Sequence, residues 1–191
     1  MLIRFLHKSY FPQYFLLFVI AAALWAKAFI SPCDLPATGP ESPLYRLVQP
    51  LIPAGHMAAV AGFLLLLFEA FFLNMVLVKH DLVPKNSLVG ALVFILLMSQ
   101  PGQALTINPQ LLAALFMIPA FNRILDTYGQ PDPTRQVFSA SLLAGLASLF
   151  LFPSMVTALV LLVSLAIFGT FSPRILLVSV SGVFTVYLYL F

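Results

Sequence analysis

The sequence predicts an all-α fold, a polytopic transmembrane bundle of about seven helices (six to seven spans) whose N-terminus is cytoplasmic. Three observations carry this prediction. Hydrophobic residues make up 62% of the 191 residues and charged residues only 8%, whereas soluble domains carry roughly 25% charged residues. The mean hydropathy is +1.06, and long apolar segments recur along the chain. So few charges cannot cover a soluble core, and the lipid bilayer is therefore the expected solvent for most of the outer surface.

Seven apolar segments are the candidate spans, since crossing the hydrocarbon takes about 20 residues. Pro153 marks either a turn between two spans or a kink in one long helix. A single helix from residue 137 to residue 191 would be about 80 Å long, more than twice the hydrocarbon thickness, which favours two spans. The predicted segments are 12–30, 57–78, 87–101, 107–125, 137–152, 154–171 and 174–191.

The basic residues predict the orientation, because cytoplasmic loops of membrane proteins are rich in Lys and Arg. With the N-terminus inside, seven of the nine basic residues lie on the cytoplasmic side. The first apolar segment is too long for the core of a signal peptide, so we expect a retained span. The expected protein is a multi-pass component of a bacterial inner membrane, with residues 1–191 as one transmembrane domain. The cytoplasmic set is Arg4, Lys8, Lys79, Lys85, Arg123, Arg135 and Arg174, and the other two are Lys27 and Arg46.

A proline-rich extracytoplasmic loop is predicted at residues 31–56, where six prolines exclude a long regular helix. Within it, apolar residues recur at helical spacing, which predicts either a short amphipathic helix in the membrane interface or a coil over the mouth of the bundle. The residues of that apolar face are Leu44, Leu47, Val48 and Leu51.

Glu69 is the main intramembrane candidate, since it lies near the middle of the second predicted span. A carboxylate in hydrocarbon is unfavourable by roughly 3 kcal/mol even on lenient scales, so it needs a compensating role. Asn74 follows five residues later and points about 140° away, so the two side chains need not share a site. Two interpretations stay open for Glu69: a packing or assembly contact, or a proton or ion site in transport or catalysis.

Asp34 and Glu41 are the acids predicted on the extracytoplasmic side, together with Arg46 and His56. One interpretation draws a catalytic base from Asp34 and uses the other three to bind a substrate phosphate or sugar. The alternative is a set of solvated loop residues, because no motif of fixed spacing ties them together.

Residues 72–129 show an Asn before a short Lys/Asn loop, a second Asn that opens the next helix, and a later helix that starts near Asn-Pro. This stretch resembles an uncharacterised family of Bacteroidetes integral membrane proteins. The family has no established activity, so the resemblance implies a membrane fold without naming a reaction. Asn108-Pro109 is also typical of a capped helix start. The matching residues are Asn74, Lys79, Asp81, Asn86 and Asn108.

Residues 108–163 show a helix, a polar loop with a basic residue, and a helix that contains AGLA and ends near a proline. This order is similar to the membrane core of C-type glycosyltransferases and their polyprenol-linked sugar polymerase relatives. Those enzymes carry a substantial extracytoplasmic loop between the first two spans, in the position of residues 31–56. The resemblance implies Asp34 as the counterpart of their catalytic acid and a polyprenyl lipid as a ligand. This chain departs from their pattern because it lacks the paired acidic motif.

Three functional hypotheses follow. The first is a scaffold or subunit of an envelope-associated complex, with a protein partner or a second copy of the chain. The second is a transferase or polymerase that uses a polyprenyl-phosphate sugar, and the third is a small transporter with Glu69 as its proton or ion site. No cofactor or metal site is expected, because the histidines are scattered and Cys33 is the single cysteine. No nucleic-acid partner is expected either, since the basic residues do not cluster.

Overall fold

The structure is a computed structural model that describes residues 11–31, 43–53, 55–85, 87–100, 105–130, 132–168 and 172–190. Within these residues the chain is all-helical, without a strand. Eight α-helices occur there: α1 Phe11–Ile30, α2 Pro43–Val48, α3 His56–Lys79, α4 Val89–Met98, α5 Pro109–Leu125, α6 Thr134–Phe150, α7 Val156–Ile167 and α8 Pro173–Leu190. Two short 3-10 segments, Gln49–Leu51 and Phe152–Met155, follow α2 and α6.

Two of the described helices are long and apolar enough to cross a bilayer. These are 18 residues of α1, Gln13–Ile30, and the 24 residues of α3. Only 28% and 33% of these stretches are buried, whereas the core helix of a soluble protein is mostly buried. Their outward faces carry large apolar side chains that need lipid or a partner to cover them. Examples are Phe15, Leu64, Phe68 and Met75.

The chain forms two compact units, each described by itself. The first unit consists of Met1–Ala37 and Pro50–Leu111, and the second of Thr38–Gln49 and Leu112–Phe191. The first therefore contains α1, α3, α4 and the start of α5, and the second contains α2, most of α5, and α6 to α8.

In the first unit, α1 and α3 run in opposite directions. Near the start of α1, Tyr14 lies beside Phe71 with ring centroids 5.8 Å apart, while near its end Phe29 lies 5.5 Å from Phe63. The indole ring of Trp25 also contacts Phe63, at 5.8 Å. Residues later in α1 therefore contact residues earlier in α3, which means that the two helices are antiparallel.

Helix α4 packs against the second half of α3 and is shorter than its predicted segment, 87–101. Its ten residues cover about 15 Å, half of the hydrocarbon thickness. Gly90 permits the contact, because a Cβ there would overlap a methyl carbon of Leu77. At the other end, Ser99 accepts a hydrogen bond of 3.0 Å from the indole Nε1 of Trp25.

The non-helical residues 105–107 pack directly on α3. A Cβ at Gly62 would lie 2.8 Å from the carbonyl carbon of Thr106, a distance that only glycine allows. Helix α5 then begins with the predicted cap, which is confirmed: the Leu111 amide donates to Oδ1 of Asn108 at 2.8 Å. Residues 105–107 therefore lie within the body of the first unit.

In the second unit, α6 and α8 lie side by side and run in the same direction. Ser141 Oγ lies 3.2 Å from Ser179 Oγ, and Ser148 Oγ lies 2.9 Å from the Tyr187 hydroxyl. The partners are 38 and 39 residues apart in sequence, and this near-constant offset is the signature of a parallel pair. Gly182 allows the close approach, since a Cβ there would lie 2.7 Å from Ser141 Cβ.

Helix α7 runs back along α6, so residues 137–150 and 156–167 form separate helices and not one kinked element. Pro153 lies in the 3-10 segment between them, and Leu151 just before it is extended, with φ −146° and ψ 106°. This proline ends the helix because it lacks an amide donor and clashes with the preceding turn. A core cluster joins the end of α5 and α7 to the start of α6 and α8. Its members are Ile124, Val137, Ala140, Leu161, Leu165 and Ile175.

Candidate functional site

Glu69 lies on the inward face of α3. Its exposed fraction is 0%, as is that of Leu66 one turn earlier, while Phe68 beside it is 58% exposed. Gly62, Leu66 and Glu69 follow one another at intervals of four and three residues, which places them on one stripe of the helix. The carboxyl group therefore points into the first unit, away from the apolar outer face.

Neither carboxyl oxygen of Glu69 has a hydrogen-bond partner among the described residues. More than about 90% of buried polar groups in proteins have such a partner, so each exception calls for an explanation. An ionised carboxylate buried without a partner is unfavourable by several kcal/mol. The site is therefore compatible with a neutral, protonated carboxyl or with a carboxylate that holds a positively charged ligand.

Asn74 is also buried, 8% exposed, and its Oδ1 has no hydrogen-bond partner in the described chain. It faces α4, because a Cβ on Gly90 would lie 3.2 Å from that oxygen. Asn74 follows Glu69 by five residues, which separates them by about 7.5 Å along the axis and about 140° around it. The two side chains thus occupy different positions on α3 and do not form one binding site by direct contact.

Thr106 is a buried polar residue that the sequence analysis did not single out. It is 1% exposed and its hydroxyl oxygen has no partner among the residues described. It lies against Gly62, which precedes Glu69 by seven residues on the same stripe of α3, about 10.5 Å along the axis. In the sequence Thr106 lies two residues before the helix cap Asn108. Polar residues are common at such a position, so the sequence does not indicate that Thr106 is buried.

The loop residues of the transferase hypothesis are only partly described. Asp34 and Glu41 lie outside the described residues. Arg46 is exposed on α2 in the second unit, and His56 is exposed at the first residue of α3 in the first unit.

Helix α2 lies within the predicted extracytoplasmic loop, and its buried residue is Tyr45. This side chain is 0% exposed, while Leu47 and Leu51 are 63% and 80% exposed. Burial raises the pKa of the Tyr45 phenol above its usual value. The inward anchor of α2 is thus a tyrosine that the apolar spacing did not indicate, and the predicted apolar face is instead partly turned outward.

An apolar groove of about 290 Å³ lies in the second unit beside α2. It is formed by the later parts of α6 and α8, with Leu44 of α2 along one side. Its polar groups are a threonine and a tyrosine, so it fits a hydrocarbon chain better than a sugar. The lining residues are Leu44, Leu142, Leu146, Leu149, Thr185, Val186 and Tyr189.

The described residues contain no group of three or more His, Cys, Asp or Glu side chains placed to hold a metal ion. No protein-family model, curated protein or solved structure matches the chain. The resemblances to the Bacteroidetes family and to the C-type glycosyltransferases therefore stay predictions from the sequence.

Proposed function

We propose that this protein is a small transporter of the bacterial inner membrane, in which the carboxyl group of Glu69 binds and releases a proton or a small cation. The observation that carries the proposal is the fully buried carboxyl of α3 with no hydrogen-bond partner for either oxygen. A carboxyl bonded to a neighbouring helix would serve packing, whereas an unpartnered one is available to a ligand. Ionisable groups inside membranes commonly mark such ion and proton sites.

The proposed architecture has seven spans: α1, α3, α4, α5, α6, α7 and α8, with α2 in the outer interface. The helix directions support it within each unit. Successive spans must alternate in direction, and α1 and α3 do so through their aromatic contacts. The parallel pair of α6 and α8, with α7 running back between them in sequence, follows the same rule.

The charges of the second unit support the proposed orientation. Its core cluster brings Ile124, Val137 and Ile175 together at one end. Each of them lies within two residues of an arginine in the sequence, namely Arg123, Arg135 and Arg174. Three exposed arginines thus share one end of the unit, as expected for a cytoplasmic face. The groove beside α2 lies towards the opposite end, formed by the later parts of α6 and α8.

The short helix α4 and the non-helical residues 105–107 also favour transport. Helix α4 stops after ten residues, and non-helical backbone at residues 105–107 packs against Gly62 of α3. Within a membrane, such backbone is tolerated where protein or a water-filled cavity surrounds it. Transporters commonly build their binding sites beside non-helical backbone inside the membrane.

The test is proton or cation flux in sealed proteoliposomes that contain a pH-sensitive dye and are subjected in turn to Na⁺, K⁺ and proton gradients. Glu69→Gln keeps the size of the side chain and removes its ionisation, so we expect flux to fall at least about 100-fold. Ser141→Ala is the matched control, because it removes a buried polar group of the second unit whose hydroxyl already bonds the carbonyl oxygen of Val137.

Wild-type flux in Glu69→Gln would contradict the transport proposal. It would favour the scaffold hypothesis instead, in which Glu69 stabilises packing or assembly with a protein partner or second copy. In that case the variant should lower the yield of folded protein or its co-purifying partner while any flux stays constant.

A second candidate function is the transfer of a sugar from a polyprenyl phosphate, and the apolar groove beside α2 is the observation that favours it. The groove would hold part of the prenyl chain. The sequence prediction assigns the phosphate to Arg46 or His56 and the role of base to Asp34. Asp34→Asn should abolish transfer from a radiolabelled polyprenyl-phosphate sugar without lowering the amount of protein in the membrane. Unchanged transfer would exclude this candidate.

Cys33 provides a test of the orientation on which both proposals depend. It is the only cysteine of the chain and is predicted to lie outside the cytoplasm. A membrane-impermeant maleimide should label it in intact spheroplasts, and Cys33→Ser is the control for background labelling. Labelling that requires lysis would invert the orientation.

A further inference from the structure

Four buried side-chain oxygens without a hydrogen-bond partner belong to the first unit, among five such oxygens in the described chain. They come from Glu69, Asn74 and Thr106, whose exposed fractions are 0%, 8% and 1%. All four can accept hydrogen bonds, and they come from both α3 and the non-helical segment beside it. Three residues of one unit that all lack hydrogen-bond partners are explained more simply by one common cause than by three separate ones.

The three residues occupy successive levels along α3. Thr106 lies at the level of Gly62, Glu69 follows about 10.5 Å further along the axis, and Asn74 about 7.5 Å beyond that. Together they extend over about 18 Å, half the length of the 24-residue helix. In the proposed orientation Thr106 lies towards the extracytoplasmic side, Asn74 towards the cytoplasm, and Glu69 between them.

Buried water is the usual partner of such groups. Internal water molecules typically make about three hydrogen bonds to buried polar atoms that lack protein partners. Leaving a buried oxygen without a hydrogen bond costs about 1–3 kcal/mol. Water molecules that bond to the oxygens of these three residues therefore stabilise the protein. Steps of about 2.8 Å between hydrogen-bonded oxygens mean that about three waters span the axial distance from Thr106 to Glu69. The path from Glu69 to Asn74 also passes around α3, because the two side chains point about 140° apart, and so needs more waters than the axial distance alone requires.

We propose that Thr106, Glu69 and Asn74 line a file of water molecules along α3 that connects Glu69 to both sides of the membrane and carries protons to and from it. The inference rests on the proposed transport function and specifies its ion as a proton. A metal cation such as Ca²⁺ takes about six to eight oxygen ligands, whereas Glu69 is the single acidic residue on α3. A proton needs only one carboxylate oxygen.

The proton step is balanced without any further reactant. A hydronium ion in the file transfers one proton to a carboxylate oxygen of Glu69, forming an O–H bond and leaving neutral water. On the other side the carboxyl group returns that proton to a water molecule and becomes a carboxylate again. Thr106 and Asn74 hold and orient the water, so both are positioning residues.

The test is the water accessibility of single cysteines in the full-length chain on a Cys33→Ser background. Thr106→Cys and Asn74→Cys are compared with Ala21→Cys, whose position on α1 is also 0% exposed. A small charged methanethiosulfonate reagent is applied from one side of sealed vesicles. We expect Thr106→Cys to react from the extracytoplasmic side and Asn74→Cys from the cytoplasmic side, each at least about 100-fold faster than Ala21→Cys, because thiolate formation needs water.

Proton flux provides the second measurement. Thr106→Val removes the hydroxyl at nearly constant volume and should reduce flux at least about tenfold, while Thr106→Ser should retain it. Each variant is first shown to be monodisperse in detergent. Equal flux in the valine and serine variants overturns the proposed role of the hydroxyl.

The outcomes separate this inference from the proposed function. If the cysteines at 106 and 74 react no faster than the cysteine at 21, the water file is wrong, even where Glu69→Gln abolishes flux. If both cysteines react from their expected sides while Glu69→Gln keeps wild-type flux, the file stands as a hydrated path and the transport role of Glu69 fails.

Discussion

The two units of this protein differ in how many of their buried side-chain oxygens lack a hydrogen-bond partner: four of the five such oxygens in the described chain lie in the first unit and one, of Gln136, in the second. In the second unit the hydroxyl of Ser141 donates to the carbonyl oxygen of Val137, and that of Ser148 to Gly145, both at 2.6 Å. In the first unit Glu69, Asn74 and Thr106 carry oxygens without a described partner. A serine hydroxyl can donate a hydrogen bond to a carbonyl oxygen in the preceding turn of its own helix. A carboxylate cannot form that bond, because it has no proton to donate.

The two units also differ in how their helices approach each other. Small residues press α6 against α8, with Gly145 and Gly182 facing side chains and backbone of the partner helix. In the first unit, aromatic rings such as Phe63 and Trp25 fill the space between α1 and α3. Close packing through small residues gives many short-range contacts. The second unit therefore has the properties of a structural frame, by which we mean the closely packed pair α6 and α8. The first unit has those of a binding site.

The largest expected effect tests the frame. Gly182→Val places a branched side chain where even a Cβ would lie 2.7 Å from Ser141 and 3.0 Å from the carbonyl oxygen of Phe138. We expect a loss of roughly 1–3 kcal/mol in the free energy of unfolding, the usual range for overpacking. Thermal unfolding in detergent measures it. Ala166→Val, at an exposed position of α7, is the control and should unfold like the wild type.

A smaller effect is expected in the first unit from Trp25→Phe. The variant keeps the aromatic contact with Phe63 but removes the indole donor to Ser99. The loss should be about 1 kcal/mol, typical of one buried hydrogen bond. A double-mutant cycle with Ser99→Ala isolates the pair. Additive losses in the double variant would mean that the two side chains are not coupled.

The smallest effect concerns the start of α6. Asp132 accepts hydrogen bonds from the backbone amide and hydroxyl of Thr134. These bonds lower the pKa of the Asp132 carboxyl below its usual value. Since the folded pKa is depressed, its stabilising contribution is complete above the pKa of the unfolded chain and is lost as the pH falls through the folded value.

Hydrogen exchange of the first amides of α6 measures this effect. Protection should decrease on acidification below the usual pKa of aspartate in the wild type, and Asp132→Asn should remove that pH dependence. The change is small because the carboxyl group is fully exposed to solvent. Identical acid profiles in the two proteins would show that the carboxylate does not stabilise the helix start.

Local sequence features predicted much of the helical structure. The capped start at Asn108-Pro109 is present, and Pro153 separates α6 from α7 because its ring and missing amide act on its immediate neighbours. The length of α4 was not predicted, because the apolar segment 87–101 continues beyond the residues that fold as a helix. Apolar composition indicates where a chain meets lipid or core, but not where its backbone leaves the helix.

The sequence by itself predicted a helical chain with seven apolar segments and placed Glu69 as the single acid in the second of them. The structure shows that two of the described helices are apolar over a membrane-spanning length. These properties depend on composition and on residues close together in the chain. Only the tertiary structure decided that Thr106 packs on Gly62 and that the oxygens of Glu69 lack partners. Hydrogen-bond satisfaction is a property of the whole surroundings of an atom, and those surroundings come from segments distant in sequence.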